Sequence, residues 1–203
     1  MGLYLYGASG HGKVVAEIAE AMGLTVTGFI DGDEEKKHLL DYKVFHAMPG
    51  HPLDVVVTIG NNTIRQRIST ANEQVSYPVL IHPKTFISQR AVINEGTVIM
   101  AGVSVNSETT VGKHCILNTN ASVDHDCTIG DFVHISPNAA LAGNVEVGEG
   151  THIGIGSCVI QGIKIGKWCT VGAGSVVIRN IPDGATVVGN PAKIIKIKEE
   201  GHF

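Results

Sequence analysis

Every sixth residue from Ile87 to Val177 is Ile, Leu or Val, sixteen in succession. The fifth place of each hexad, from Ala91 to Ile181, holds a small or β-branched residue, and the second is often Gly, Asn, Ser or Asp. A period of six matches neither the 3.6 of an α-helix nor the alternation of an ordinary strand. It fits a parallel β-helix, in which each hexad is one short strand and one tight corner. The aliphatic side chain points into a narrow core and the small one fits beside it. The second-place Gly or Asn is expected to take the unusual φ of the corner. Three hexads per coil give about five coils, each climbing about 4.8 Å as hydrogen-bonded strands do. The register never breaks, so no long loop interrupts the coils. Residues 18 apart then stack, which puts His125 beneath Gly143 and His134 beneath His152.

A thin β-helix filled by Val and Ile explains why aromatics make up only 5% of the 203 residues. A formal charge of −4 offers no basic surface for nucleic acid. No apolar run approaches the roughly 20 residues that span a membrane, and the amino terminus enters a strand with no basic leader or cleavage site. Cys115, Cys127 and Cys169 fall on the small inward hexad place and read as core filler. Without CxxC or HxxxH pairs no metal site is expected. A reduced, cytoplasmic protein follows from these features.

The first 84 residues read as a separate Rossmann-like unit, with the β-helix and a short charged tail over 85–203. Leu3 to Tyr6 is a strand, Gly7-Ala8-Ser9-Gly10-His11-Gly12 a turn, Lys13 to Met22 a helix, and Thr25 to Ile30 a second strand ending at Asp31. A glycine-rich turn at a helix N-terminus binds anions through free N–H groups and the helix dipole. Asp31 stands where such folds set a carboxylate against a ribose. The spacing is G-x-x-G-x-G, with Ser9 where a G-x-G-x-x-G motif needs glycine, and the unit is half the length of a dinucleotide domain. A sugar-nucleotide diphosphate therefore fits better than NAD; a purely structural turn is the remaining reading. Asp33 to Lys37 reads as a solvated charged loop. Asp54 to Gly60 is a buried strand, and Asn61-Asn62 cap a helix from about Thr63 to Ala71 or contact a nucleotide. Val79 to Ile81 is a last small strand before His82-Pro83 opens the β-helix.

The turn GASGHG, the IGNN after the third strand, VDHDCTIG within the hexads and the terminal VVGNPAK together resemble the sialic-acid O-acetyltransferase-like sugar acetyltransferases, a family of the hexapeptide-repeat superfamily. The resemblance spans essentially the whole chain and lies nearest the branch that acetylates UDP-4-amino sugars in bacillosamine synthesis. It implies a left-handed β-helix and a homotrimer, with acyl-CoA in the groove between prisms. It also implies N-acetylation of a nucleotide-linked amino sugar by acetyl-CoA, on UDP-4-amino-4,6-dideoxy-N-acetylglucosamine. O-acetylation of a sialic or similar sugar, or a GDP- or dTDP-linked acceptor, uses the same residues. A nucleotide-sensing solenoid without turnover is the alternative outside enzymes.

By the same resemblance His125 is the catalytic base, Asp126 its carboxylate partner, and the Gly143 N–H the oxyanion donor. Ser9, Gly10 and His11 would hold the diphosphate, Asp31 and Gly60 the nucleotide, and Asn118 the sugar. His134, Ile155 and Gly174 would line the acyl-CoA track, with Pro191 and Lys193 from GNPAK. Imidazole suits proton removal near neutrality, and a carboxylate on its other nitrogen fixes the tautomer. That contact requires the corner to turn both side chains the same way. His114 and His152 receive no role and are expected at the surface.

Overall fold

A computed structural model describes residues 2–50 and 53–197. The charged end of the tail, 198–203, lies outside the described residues. The first unit is a five-stranded sheet flanked by helices. Its strands are β1 (Leu3–Tyr6), β2 (Val26–Ile30), β3 (His38–Leu39), β4 (Tyr42–Phe45) and β5 (Asp54–Val57), ordered β3-β4-β2-β1-β5. All neighbours are parallel except the β3–β4 hairpin. That hairpin turns at Leu40, which has a φ of 51°. Its strands are too short to announce themselves by alternation. Helix α1 (Gly10–Ala21) buries Val15, Ile18 and Ala19, and α2 (Asn62–Thr70) follows β5.

From residue 80 onward, two-residue strands recur every six residues and form three parallel sheets. One runs from Leu80–Ile81 through Val98–Ile99, Ile116–Leu117, His134–Ile135, His152–Ile153 and Thr170–Val171, and is extended by Ala185–Val188 and Lys193–Ile197. The second begins at Phe86–Ile87 and the third at Val92–Ile93, each stepping by 18. The small strand before His82 pairs with Val98–Ile99, so it already belongs to the β-helix stack. The aliphatic place is buried from Ile99 to Val177, and Cys115, Cys127 and Cys169 lie among it as free thiols.

The corner conformation differs from the expectation. Positive φ occurs at the fourth place of the hexad, at every sixth residue from Gly96 to Gly174, and not at the second. Eight of these are not glycine, including His114, Asp126, Phe132 and Trp168. A left-handed non-glycine residue costs about 1–2 kcal/mol. It is offset because that residue's N–H then reaches the coil before it, as in Asp126 N–H to the Ser107 carbonyl at 3.0 Å and Asn144 N–H to that of His125 at 2.8 Å. The second-place glycine serves close packing instead. A Cβ on Gly130 would lie 2.7 Å from the Glu149 nitrogen of the next coil.

The first unit docks on the first of the three sheets. There the outward residues Val98 and Ile116 are buried with Leu5, Val15 and Ile18 in one core. Burying one such side chain contributes roughly 1.5–3 kcal/mol. The two units are therefore fixed to one another, leaving His134 and His152 on the same sheet beside the junction.

Candidate active site

The corner between the second and third sheets carries the tripeptide Asp124-His125-Asp126. Asp126 takes the left-handed conformation, φ 60°, which swings its carboxylate back toward the preceding side chain. His125 Nδ1 and Asp126 Oδ2 are 2.7 Å apart. A carboxylate only accepts, so Nδ1 carries the proton and Nε2 keeps its lone pair. Asp124 accepts the His125 N–H at 2.8 Å and the Asn106 side-chain amide at 2.8 Å, which steadies the corner from below. Both His125 and Asp126 are exposed. The hydrogen bond to Asp126, and then the charge of Asp124, raise the basicity of His125 above the ordinary histidine value. Gly143 lies one coil on, against the ring: a Cβ there would come 2.5 Å from His125 Cε1. Among the described residues its N–H donates to nothing.

A second cluster forms at the junction of the two units. Ser9 is the N-cap of α1 but makes no side-chain cap bond, so its hydroxyl and the first N–H groups of the helix stay available. The three turn glycines divide their work. A Cβ on Gly7 would come 2.7 Å from Ile59, and one on Gly12 would come 2.6 Å from the Gly7 carbonyl, whereas one on Gly10 meets nothing within 4 Å. Gly10 thus faces open space at the helix N-terminus. Asp31 holds the turn itself: its carboxylate accepts the Ala8 N–H at 2.9 Å and the Asp33 N–H at 3.0 Å, and pairs with Lys36 at 2.8 Å. Burial works to raise its pKa, but the Lys36 bond and the two N–H donors outweigh it and hold the carboxyl below its usual range. Lys36 folds back on Asp31, while Asp33, Glu34, Glu35 and Lys37 are exposed, as expected of a solvated charged loop.

His11 turns inward from α1 and is pushed down to about 4 by burial, then by the charge of Arg65. His134 is pushed down to about 3 by burial first, then by His152, Arg65 and His11, with the nearby Gly60 backbone working the other way. Asn118 bonds His134 Nε2 at 3.1 Å. His152 is not a free surface residue: its ring stacks on His134 at 4.8 Å and its Nε2 lies 2.7 Å from Ser136 Oγ. His114 is buried, stacked on Phe132 at 5.3 Å and edge-on to Tyr77 at 4.6 Å. The N–H of Ile64 bonds the Asn61 side chain, which is the N-cap of α2, while Asn62 donates across the junction to the Gly150 and Thr151 carbonyls. The Asn62 side chain is thus turned into the junction, with its amide nitrogen on the β-helix and its oxygen on Arg65.

A third group lies on the corner between the first and second sheets. Gly174 N–H donates to the Ile155 carbonyl at 2.8 Å, and Ile155 is half exposed. The GNPAK segment folds onto the last coil beside them, with Ala192 N–H on the Val176 carbonyl; Pro191 and Lys193 are exposed. The structure thus brings Ser9, Gly10, His11, Gly60, Asn118 and His134 to one side of the prism and Ile155, Gly174, Pro191 and Lys193 to an adjoining edge. His125, Asp126 and Gly143 stand on the edge opposite the docked unit. Sequence reasoning passed over Arg65, Lys36, Asp124 and His152. Only the spacing Asn62-x-x-Arg65, one helical turn, hinted that Arg65 shares a face with the capping asparagines. Among the described residues no group of three His, Cys, Asp or Glu is placed to hold a metal ion, and no helix is long and apolar enough to cross a membrane.

Comparison with known proteins agrees with this fold. Residues 2–71 match the model of the PglD N-terminal domain. A perosamine N-acetyltransferase variant from Caulobacter crescentus, solved with CoA and GDP-perosamine, is 37% identical, with 97% of each chain covered and a TM-score of 0.92. The chain belongs to the PglD-like family of sugar acetyltransferases. A second solved member of this family is the acetyltransferase domain of PglB from Neisseria gonorrhoeae FA1090 with acetyl coenzyme A. It is 42% identical over 95% of this chain and 98% of that domain, with a TM-score of 0.89. A curated relative, the UDP-N-acetylbacillosamine N-acetyltransferase of Bacillus subtilis (strain 168), is 40% identical over 108 residues, 48% of this chain. In that match the chain spans about half the length of the relative, 50%.

Proposed function

We propose that the protein is an acetyl-CoA-dependent N-acetyltransferase whose acceptor is a nucleotide-linked 4-amino sugar, UDP-4-amino-4,6-dideoxy-N-acetylglucosamine. The carrying observation is the 2.7 Å contact between His125 Nδ1 and Asp126 Oδ2 with the bare Gly143 against the ring. His125 Nε2 removes a proton from the sugar amine as the nitrogen attacks the acetyl carbonyl of the thioester. The Gly143 N–H receives the developing oxyanion, and Asp126 stabilises the imidazolium. The C–S bond breaks, the amide forms, and the imidazolium proton passes to the departing thiolate. Ser9, Gly10 and His11 hold the diphosphate, Asp31 and Gly60 border the nucleotide, and Asn118 meets the sugar. His134, Ile155, Gly174, Pro191 and Lys193 line the acyl-CoA.

The opposed positions of His125 and the docked unit favour a trimer, because one chain cannot bend its own nucleotide turn around to its own base. A neighbouring prism supplies the missing edge, and a closed ring satisfies every copy equally. The reaction needs no metal. A GDP-linked amino sugar is the second reading, favoured by the likeness to the Caulobacter enzyme over 97% of the chain. Thiol release from acetyl-CoA, measured with UDP-, GDP- and dTDP-linked 4-amino sugars, decides among them. No turnover with any of the three would sink the enzyme reading.

A further inference from the structure

Arg65 is 1% exposed, and among the described residues no carboxylate pairs with it. Burying an unpaired cation is costly unless its hydrogen bonds are complete. Here they are. Nε donates to the His114 carbonyl at 2.7 Å. Nη1 donates to Ile59 and Gly60 at 2.9 and 3.3 Å. Nη2 donates to Asn62 Oδ1 and the Phe132 carbonyl, both at 2.8 Å. A guanidinium has five N–H donors in a rigid plane, and five acceptors meet them.

The acceptors fall in two sets. Ile59 and Gly60 form the rim of the first unit, where the strand β5 ends. His114 and Phe132 belong to two successive coils of the β-helix, and His134 is two residues beyond Phe132. We infer that Arg65 is a positioning residue for the acceptor substrate, fixing the distance between the nucleotide rim at Gly60 and the coil that carries His114 and presents Asn118. This rests on the functional reading above. The Asn62 bonds to Gly150 and Thr151 extend the same brace to the next coil. The cation also helps keep His11, His134 and His152 neutral, since its charge opposes protonation of each.

The test uses the full chain with R65M and R65K, and whichever UDP- or GDP-linked 4-amino sugar the parent acetylates. Methionine fills much of the space but donates nothing. Lysine keeps the charge with three donors on a flexible stem. A displacement of the rim by about 1 Å can cost on the order of a hundredfold. R65M is expected to raise KM for the nucleotide-linked sugar at least about tenfold. KM for acetyl-CoA stays within about twofold and kcat falls less than KM rises. R65K recovers part of the loss. If R65M does not fold, R65K carries the test with a smaller rise in the same direction. Equal changes in both KM values, or an unchanged nucleotide-sugar KM in a folded variant, overturn the role of Arg65 while leaving the enzyme reading in place. A parent that acetylates no nucleotide-linked sugar removes both.

Discussion

The corner carrying His125 and the junction carrying His11, His134 and His152 put one kind of side chain under opposite physical conditions. At the corner the imidazole is exposed, and two carboxylates of the same tripeptide favour its cation. At the junction burial and a buried guanidinium favour the neutral ring. The first environment suits a group that accepts a proton during a reaction. The second suits rings that shape a site and exchange hydrogen bonds without changing charge. The difference shows that a histidine's work is set by what the fold removes from water around it.

The largest expected effect tests the corner alone. His125→Ala should lower kcat/KM at least about a hundredfold, while the molecular mass in solution and the affinity for acetyl-CoA stay as in the parent. A near-normal rate would transfer the role of base to His134. The junction is tested next by Gly10→Val. A Cβ there meets nothing within 4 Å, so thermal stability should hold. It would occupy the space at the helix N-terminus that a diphosphate needs. Losing one or two charge-assisted bonds there should raise the nucleotide-sugar KM about tenfold or more, and calorimetry should show acetyl-CoA binding unchanged. Equal weakening of both ligands would count against a phosphate turn.

A smaller effect is expected from Asp126→Asn. The amide can still accept the Nδ1 proton but stabilises the imidazolium poorly, and at an exposed corner solvent screens part of the difference. A loss of roughly tenfold is expected, and the acid limb of the kcat/KM profile should move down. In the parent that limb should lie above about 6.5, the ordinary histidine value, because Asp126 and Asp124 raise the basicity of His125. A rate that stays flat from pH 5 to 8 would break the assignment, since histidine must titrate there.

The smallest effect concerns stability. His11 and His114 are pushed down to about 4 and His134 to about 3 in the folded protein. In the unfolded chain they titrate near about 6.5. Above that value both states are neutral and pH has no leverage through these groups. As pH falls below it the unfolded state takes up protons that the folded state refuses, so stability declines down to about pH 4. The melting temperature should therefore drop between about pH 6.5 and 4, and His114→Asn should flatten part of that slope. A melting temperature that rises on acidification through this window would mean the rings are not held neutral.

The β-helix was legible because one constraint repeats: a narrow core admits only an aliphatic residue every six places, and stacking at 18 follows from three faces. That is why His125 beneath Gly143 and His134 beneath His152 could be read directly from position. Which hexad place takes the left-handed turn could not be read so, since Gly is needed both for positive φ and for close packing, and composition does not separate the two uses. The tripeptide at 124–126 announced its chemistry, but only the left-handed Asp126 brings its carboxylate to the ring. The chain alone settled the repeat; the glycine-rich turn at a helix N-terminus and His125 as base were expectations it raised. The tertiary structure alone decided that Arg65 is buried across the junction, that His114 is buried and His152 half-buried, and that the glycine-rich turn and His125 lie on opposite sides of one prism. Those outcomes depend on which face the first unit covers, and that is set by Val98 and Ile116 sharing one buried core with Val15 and Ile18 of α1, residues far apart in sequence, where no local period reaches.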